Sequence, residues 1–600
     1  MTSEFESYGA KLLTDAESGC TLSVKEWKTR RKGILEGLGR TLGKDLPRRW
    51  PPLNAKIESV AQRRGYRIEQ VSAEFWPGVR YAMQAYVPDG SGPFPGVVMV
   101  CTGPNGPRHS LYQQLGGGLA RMGMLAVGVV ALGKGEASVK RPEAYRYNGI
   151  ALLMGTSIAQ EQFHTGVRAL DYLLGRSDVD SKRVGITGDS DGGWVTLYVA
   201  TIDPRITAAA PACTNYTFCG YLLPNRWKTA DSPEGNAPEV LTYGANIPTL
   251  TACNAPKWFR FLNAEHETER LQFIPVIDGA AKTAYALAGV SDRYSSRLCP
   301  CKHGYWPPLQ IEAISWFSEV FFGQRPPEGT LALRDAPNRR FEQLLVRGEP
   351  LEIIWEDQED WNRLQVGNLP DDAGKPGFLQ IIETRRRDAR IARAQLAKDP
   401  AHMCRELRRC LGIDSLTMNP VATAGGNPVV LESEPGLRVV GEWIKDTAGT
   451  LKSVCLVVGK SEERKAHPHL ATSALFELTM REETTLGPAL WALVMLNRPP
   501  LGMWVWDCMS AAHYLKRQGF EKVELLGVGD AGAMIAVFAG VLSAEVTLVR
   551  LAENRIRSLD EDVVGKHIEN TPLWAHRLLW VADLPEMIDL LKAQERWAGE

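Results

Sequence analysis

The sequence predicts an α/β fold in which a mostly parallel central sheet is flanked by helices, followed by a second, degenerate copy of that arrangement. Continuous apolar runs bounded by glycine alternate with helical stretches, as expected for parallel strands covered on both faces. A Gly-x-Ser-x-Gly turn at 188–192 separates one such run from a helix. Residues 509–532 resemble 166–193, and the turns at 527–532 and 188–193 align without a gap, which indicates an internal duplication.

The composition is that of a globular protein with room for several domains. The chain has 600 residues, of which 44% are hydrophobic and 23% are charged. Its 69 Lys and Arg nearly cancel its 70 Asp and Glu, so no overall field attracts nucleic acid or anionic membranes. No run approaches the ~18 apolar residues of a membrane span. The 11 cysteines, an odd number, do not suggest a disulfide framework.

The first residues show neither the basic start nor the apolar segment of a secretion signal. We therefore expect a cytoplasmic protein, or a periplasmic or secreted one if a signal peptide has been removed. No cofactor and no metal is predicted, and the sequence leaves the oligomeric state open.

The first half of the chain divides into a cap and a sheet domain. Residues 1–65 are predicted to form a helical cap, because basic and apolar positions interleave before a Pro-rich stop. The sheet domain is expected over 66–340 and opens with a hairpin of two half-buried strands. Its predicted elements are strands at 67–75, 81–88, 96–103, 123–133, 183–188, 206–213 and 256–263, with helices near 159–175, 192–202 and 311–322.

The remainder is predicted as an insertion, a connector and the second copy. An insertion at about 214–250 lies where a lid is expected, and 341–420 form a helical connector. In the second copy, 421–600, Gly529 occupies the position of the serine, and no histidine follows Asp583. No catalytic set can form there, so we expect this half to cover part of the first.

The Gly-x-Ser-x-Gly turn makes Ser190 a candidate nucleophile, since a serine on a tight strand-to-helix turn is held exposed above the sheet. The helix that follows points its N-terminus at this position, so the N–H of Asp191 is placed to stabilise an oxyanion. A second N–H is expected from the loop after the first apolar strand, at Asn105 or Gly106. His109 in the same loop is placed to line the site.

A nucleophilic serine needs a histidine base and an acid, in the order serine, acid, histidine for this architecture. His303 lies in the loop before the last helix of the first half. Glu265 and Glu267 both follow the strand at 256–263, and spacing favours neither. A competing interpretation groups His303 with Cys299 and Cys301 as a metal cluster, but this needs a fourth ligand and leaves the serine without a base.

Aromatic residues in the insertion and beside the base predict a pocket for sugar rings or aromatic acyl groups. The alternative is that they simply pack the insertion. The candidates for substrate contact are Tyr216, Tyr221, Trp227 and Trp306.

Much of 25–325 resembles the bacterial α/β-hydrolases of the acetyl xylan esterase and dienelactone hydrolase-like group, in the long form with a degenerate second half. The matching stretches include GVRALDYLLGRSDVDSKRVGITGDSDGGW, IDPRITAAAPAC and KHGYWPPLQIEAISWF. The resemblance implies an α/β-hydrolase fold with Ser190 as nucleophile, His303 as base and Glu267 as acid. Most relatives of this group have aspartate at the acid position and a small residue at the position of Asp191. In this chain the carboxylate of Asp191 disfavours strongly anionic substrates.

Together these features predict a serine esterase that cleaves small-molecule or oligosaccharide esters through an acyl-enzyme intermediate, with acetyl or aromatic esters of carbohydrates as candidate substrates. An amidase or peptidase would use the same residues. A non-catalytic scaffold with two hydrolase-like halves is the third interpretation, and the intact set of catalytic residues in the first half argues against it.

Overall fold

The computed structural model describes most of the chain. The described residues are 24–43, 50–102, 106–108, 110–132, 148–215, 235–267, 271–326, 377–424, 427–445, 452–460, 474–480, 493–566 and 575–599. The helices are α1 (Val24–Thr41), α2 (Ser110–Arg121), α3 (Asn148–Leu153), α4 (Ile158–Leu174), α5 (Asp191–Ile202), α6 (Ile247–Cys253), α7 (Ile274–Leu287), α8 (Pro307–Phe322), α9 (Gly377–Leu396), α10 (Pro400–Cys410), α11 (Pro500–Arg517), α12 (Gly529–Leu542), α13 (Leu578–Val581) and α14 (Leu584–Ala593). Within these ranges, no helix has the length and apolar character needed to cross a bilayer.

The first half contains a nine-stranded sheet. Its strands are β1 (Lys56–Arg63), β2 (Tyr66–Trp76), β3 (Val79–Pro88), β4 (Phe94–Cys101), β5 (Leu125–Val130), β6 (Val179–Asp189), β7 (Ala208–Ala212), β8 (Trp258–Ala264) and β9 (Tyr294–Cys299), in the order β1-β2-β3-β5-β4-β6-β7-β8-β9. The six strands from β4 to β9 run parallel, and β1 to β3 pair antiparallel at one edge. This confirms the predicted α/β class and the α/β-hydrolase arrangement.

Helices cover both faces of this sheet, which explains why its central strands are apolar throughout. Along β4, Val98 and Val100 pack into one core cluster, and Val97 and Met99 pack into the other. Helices α4 and α5 lie on the first of these faces, and α2 and α8 lie on the second. A strand buried on both sides needs an unbroken apolar run, which is the pattern that the sequence shows.

The prediction of a wholly helical cap over 1–65 is wrong at its C-terminal end. Helix α1 is present, but β1 pairs antiparallel with β2 and extends the sheet. The chain reverses at Gly65, whose φ of +88° suits a tight turn. Because β1 is an edge strand, its side chains are mostly exposed, and it lacks the apolar run that marks a central strand.

The prediction that the strand series ends at 256–263 is also wrong. Strand β9 adds a further parallel edge next to β8, after the helix α7. Its sequence, YSSRLC, is largely polar because only one edge of the strand is hydrogen-bonded and several of its side chains remain accessible. The candidate base His303 therefore follows a strand of the same sheet as Ser190.

The second half contains a seven-stranded sheet whose order repeats that of the first. Its strands are β10 (Val421–Ala424), β11 (Val429–Glu434), β12 (Leu437–Lys445), β13 (Ser453–Gly459), β14 (Ala474–Thr479), β15 (Lys522–Val528) and β16 (Val546–Ala552), in the order β10-β11-β12-β14-β13-β15-β16. This is the order of the first seven strands of the nine-stranded sheet. We call the tight turn from β6 to α5, which carries Ser190, the elbow. The turn from β15 to α12 corresponds to it in the second half.

Residues 341–376 of the predicted connector lie outside the described residues, and the described part, 377–420, contains the two helices α9 and α10, separated at Asp399. The Asp399 side chain accepts a hydrogen bond from the His402 N–H, and Pro400 starts the next helix, so the chain breaks there. The arginines of α9 bind both halves. Arg385 Nη2 donates to Glu161 Oε1 of the first half at 2.7 Å, and Arg393 Nη2 donates to Asp560 Oδ2 of the second half at 3.2 Å.

The second half also contacts the first directly. The Trp580 indole N–H donates to the carbonyl of Met154 at 2.7 Å, and the Arg577 N–H donates to the carbonyl of Leu152 at 2.9 Å. At the base of the insertion, the Glu239 N–H donates to the carbonyl of Val494 at 3.0 Å. The second half thus contacts the chain at the C-terminal end of α3 and in the described part of the insertion, 235–250.

Candidate active site

Ser190 occupies a strained turn between β6 and α5. Its φ is +53° and its ψ is −117°, a conformation that L-residues other than glycine rarely adopt and that costs about 1–3 kcal/mol. The Ser190 N–H donates to the carbonyl of Ala212 on β7 at 3.0 Å, and the Ser190 carbonyl accepts from the Trp194 N–H at 3.1 Å. Sheet and helix together hold the serine in this backbone conformation.

The glycines around the serine are required by close backbone contacts. A Cβ at Gly192 would lie 2.1 Å from the carbonyl oxygen of Val100, and a Cβ at Gly188 would lie 2.6 Å from the same oxygen. At Gly193 a Cβ would lie 2.6 Å from the carbonyl oxygen of Ala212. Helix α5 therefore starts pressed against the ends of β4 and β7, which fixes the position of the elbow.

The structure places His303 beside Glu267. The Nδ1 atom of His303 forms a short hydrogen bond with Glu267 Oε1. The Glu267 side chain is buried at 6% exposure, whereas the His303 side chain is 41% exposed. A carboxylate on Nδ1 fixes the imidazole tautomer and leaves Nε2 for proton exchange. Glu265 is exposed, and its N–H donates to the carbonyl of Cys299 at 2.9 Å.

Trp306 supports the loop that carries His303. Its indole N–H donates to the His303 carbonyl at 2.9 Å, and the side chain packs in the core at 8% exposure. The loop also contains Gly304, whose φ of +120° favours glycine. This placement gives Trp306 a structural role, while a contribution of Trp306 to a substrate pocket stays a prediction.

A buried carboxylate next to the serine was missed by sequence reasoning. Asp189 is 4% exposed and accepts a short hydrogen bond from the Tyr112 hydroxyl, which also accepts from the Thr102 N–H at 2.8 Å. Burial raises the pKa of Asp189 to about 6, against the opposing effects of the Tyr112 hydrogen bond and of nearby His303. The signal in the sequence was an acidic residue at the end of the buried stretch of β6, directly before the candidate nucleophile.

This raised pKa predicts a measurable dependence of stability on pH. The folded state holds the Asp189 proton up to about pH 6 and the unfolded state only to about 3.8, so stability falls as the pH rises between these values. At 1.36 kcal/mol per pKa unit, the loss amounts to roughly 3 kcal/mol. The Asn side chain of Asp189→Asn cannot ionise. As the pH rises through this range, we therefore expect the free energy of unfolding of the variant to increase relative to that of the wild type by up to this amount.

Urea unfolding at pH 4, 5, 6 and 7 measures this difference. The variant Asp589→Asn is the control, because that carboxylate is 75% exposed and far from the site in sequence. A constant difference between Asp189→Asn and the wild type across this range would contradict the assignment.

The candidate oxyanion donors are placed only in part. Asp191 starts α5, so its N–H lies in the first turn of the helix, directly after the serine. Gly106 begins a short 3₁₀ turn with a φ of +47°, and a Cβ there would lie 2.8 Å from Cβ of Val130. Several predicted site residues lie outside the described residues: Asn105, His109, Tyr216, Tyr221 and Trp227.

A cysteine that sequence reasoning did not single out lies beside the candidate base. Single donor atoms of Cys213, Glu267 and His303 lie within 4.8 Å of one another. Cys299 and Cys301, which the sequence placed in a possible metal cluster with His303, do not join such a group in the part of the chain that the structure describes. Cys213 is separated from His303 by 90 residues, so no local motif reveals this proximity.

The second half retains the elbow without its nucleophile. Gly529 has a φ of +69°, close to that of Ser190, and starts α12. A Cβ at Gly532 would lie 2.4 Å from the carbonyl oxygen of Val458, as tight an approach as in the first half. Asp583 caps α14 and accepts hydrogen bonds from the Ser558 hydroxyl and from backbone N–H groups, so its carboxylate has a structural role.

Comparisons with known proteins identify esterases as similar to parts of this chain, and no family model matches it. Acetyl esterase Axe7A of Xylanibacter ruminicola is 44% identical over 59 residues, which are 9% of this chain and only 13% of that protein. Among solved structures, methylesterase BT1017 is 20% identical and the alignment covers 60% of this chain and 81% of that chain, with a TM-score of 0.41. A glucuronoyl esterase from Solibacter usitatus is 16% identical, with 50% and 94% covered and a TM-score of 0.39.

Proposed function

We propose that this chain is a serine hydrolase of carboxylic esters that uses Ser190 as nucleophile, His303 as base and Glu267 as the acid that orients it. The observation that carries the proposal is the backbone of Ser190. A serine held at a φ of +53° and a ψ of −117° between a strand and a helix has the strained backbone expected of a nucleophile on a tight strand-to-helix turn. The hydrogen bond between His303 and Glu267 supplies the remaining two members of a triad.

In the proposed reaction, Nε2 of His303 removes the proton from the Ser190 hydroxyl as the oxygen attacks the ester carbonyl. The Asp191 N–H and a donor from the Asn105–Gly106 loop stabilise the oxyanion of the tetrahedral intermediate. The imidazolium is stabilised by Glu267 and returns the proton to the leaving alcohol. Water then attacks the acyl-enzyme by the same route and releases the acid.

The proposed substrates are acetyl or aromatic esters of carbohydrates. The local match to an acetyl esterase favours a small acyl group. The aromatic residues of the insertion favour a sugar or aromatic ring near the site. The carboxylates of Asp189 and Asp191 flank the nucleophile, and they disfavour an acyl group that carries its own negative charge next to the carbonyl.

Labelling with a fluorophosphonate tests the proposal, together with turnover of p-nitrophenyl acetate and of a matched p-nitroanilide. We expect ester turnover and a label on Ser190, located by mass spectrometry of peptides. Faster turnover of the anilide than of the ester would favour an amidase with the same residues. A folded protein with neither turnover nor label would overturn the proposal and favour a scaffold.

The pair Glu265 and Glu267 offers a matched test of the acid. Glu267→Gln is expected to lower kcat for p-nitrophenyl acetate by about 10³–10⁴-fold, because the amide no longer stabilises the imidazolium or selects its tautomer. Glu265→Gln changes an exposed side chain in the same loop and is expected to leave kcat unchanged. Steady-state kinetics of the two variants checks this, and a larger loss for Glu265→Gln would reverse the assignment.

A further inference from the structure

We propose that Cys213, Glu267 and His303 form an inhibitory zinc site. One metal ion bound there would coordinate the proposed acid and base, so that neither could assist the serine. Binding of the ion depends only on these three side chains. The inhibition that follows from it rests on the proposed esterase function.

The backbone holds Cys213 between the elbow and the histidine loop. It directly follows β7, has a φ of +55°, and its N–H donates to the carbonyl of Leu262 on β8 at 3.0 Å. Its Sγ lies 3.8 Å from the carbonyl oxygen of Gly304, the residue after His303. The Cys213 side chain is fully buried, so its thiol lies on the protein side of the site and not on the solvent side.

The three side chains supply donors that zinc prefers: a thiolate, a carboxylate and an imidazole, with ligand distances of about 2.0–2.3 Å. Ligand atoms of a tetrahedral zinc lie roughly 3.5 Å apart at those distances. The donors of Cys213, Glu267 and His303 lie within 4.8 Å of one another, so side-chain movements of about 1 Å suffice. His303 is 41% exposed, which gives the ion a route from solvent, and water can complete the coordination.

Binding would change the chemistry of the site in a defined way. The thiol releases its proton to solvent as the sulfur–metal bond forms, since a coordinating thiol is deprotonated. The metal replaces the hydrogen bond between His303 and Glu267, so the imidazole is no longer available as a base. The thiolate selects borderline ions such as Zn²⁺ and Co²⁺ over Mg²⁺ and Ca²⁺, which prefer oxygen ligands.

Cobalt reports binding without any reference to activity, because a thiolate bound to Co²⁺ gives a near-ultraviolet charge-transfer band. We expect this band in the full-length wild-type protein and in Ser190→Ala, and not in Cys213→Ser or His303→Asn. Cys301→Ser is the matched control, since Cys301 is another buried cysteine and interacts electrostatically with Glu267. Retention of the band in Cys213→Ser, or its absence from the wild type, would overturn the proposal.

Zinc titrations of p-nitrophenyl acetate hydrolysis test the inhibition. We expect Zn²⁺ but not Mg²⁺ to inhibit the wild type, with full recovery after EDTA. In Cys213→Ser the zinc inhibition constant should rise at least about tenfold, because even residues that only orient a ligand change metal affinity by 10–100-fold. Equal zinc sensitivity of the two proteins would overturn it. A cobalt band without ester turnover would refute the proposed function and leave the metal site standing.

Discussion

Ser190→Ala is expected to lower kcat for p-nitrophenyl acetate hydrolysis by about 10⁶-fold, because a triad without its nucleophile retains little more than substrate binding and the oxyanion donors. The change removes one oxygen from a residue whose backbone is held by Ala212 and Trp194, so the fold should persist. Steady-state kinetics measures the loss, and circular dichroism confirms that the variant is folded.

The second half provides the control for this substitution. Ser510 is a fully buried serine on α11, and Ser510→Ala also deletes one hydroxyl from the chain. We expect it to keep wild-type turnover. Turnover of Ser190→Ala above one hundredth of the wild-type rate, after exclusion of wild-type contamination, would show that another group carries the reaction.

His303→Asn is expected to cause a loss of similar size, about 10⁶-fold in kcat, since a serine hydroxyl without a base is a weak nucleophile at neutral pH. In the proposed reaction, the imidazole of His303 accepts the serine proton and returns it to the leaving alcohol. Rates with esters of progressively better leaving groups give a second readout, because a good leaving group needs less protonation by the general acid.

One of the other histidine–glutamate pairs of the chain serves as control. His513 Nδ1 lies 2.5 Å from Glu545 Oε1 at a half-buried position in the second half. His513→Asn removes a comparable pair away from the elbow, and we expect it to leave kcat within about twofold. A loss in His513→Asn equal to that in His303→Asn would indicate an effect on folding rather than on proton transfer.

The sequence predicted the parts of the fold that are buried on both faces. Strands such as β4 and β5 have continuous apolar runs because helices cover both of their sides. The edge strands β1 and β9 were missed because many of their side chains are exposed or half-buried and can be polar. A polar sequence pattern is typical of a loop or of a helix surface. Whether a polar segment joins a sheet depends on the neighbouring strand, which a local pattern does not contain.

The candidate site shows the same division between local and distant signals. Ser190 could be identified because the strand, the turn and the helix that hold it are contiguous in sequence. Spacing did not separate Glu265 from Glu267 and only the resemblance favoured Glu267, because the contact of Glu267 with His303 spans 36 residues and no local pattern contains it. Cys213 was not identified because no motif surrounds it in the sequence. The pairing of the parallel strands β7 and β8 brings it to the site.

The arginines of α9 link the stability of the two halves, because the same helix binds both. Glu161 is completely buried in the first half, and its carboxylate accepts a hydrogen bond from Arg385 of the connector. This carboxylate also forms hydrogen bonds with Trp76, Thr156 and His164. Removal of Arg385 therefore costs less than about 3–5 kcal/mol, the cost of a buried charge left without any partner, but it still takes a share of the roughly 5–15 kcal/mol by which proteins are stable. A fragment that ends before α9 loses Arg385, so we expect the first half to be less stable alone than in the full-length chain. Loss of the connector would lower the concentration of folded protein without altering a single residue of the turn that holds Ser190.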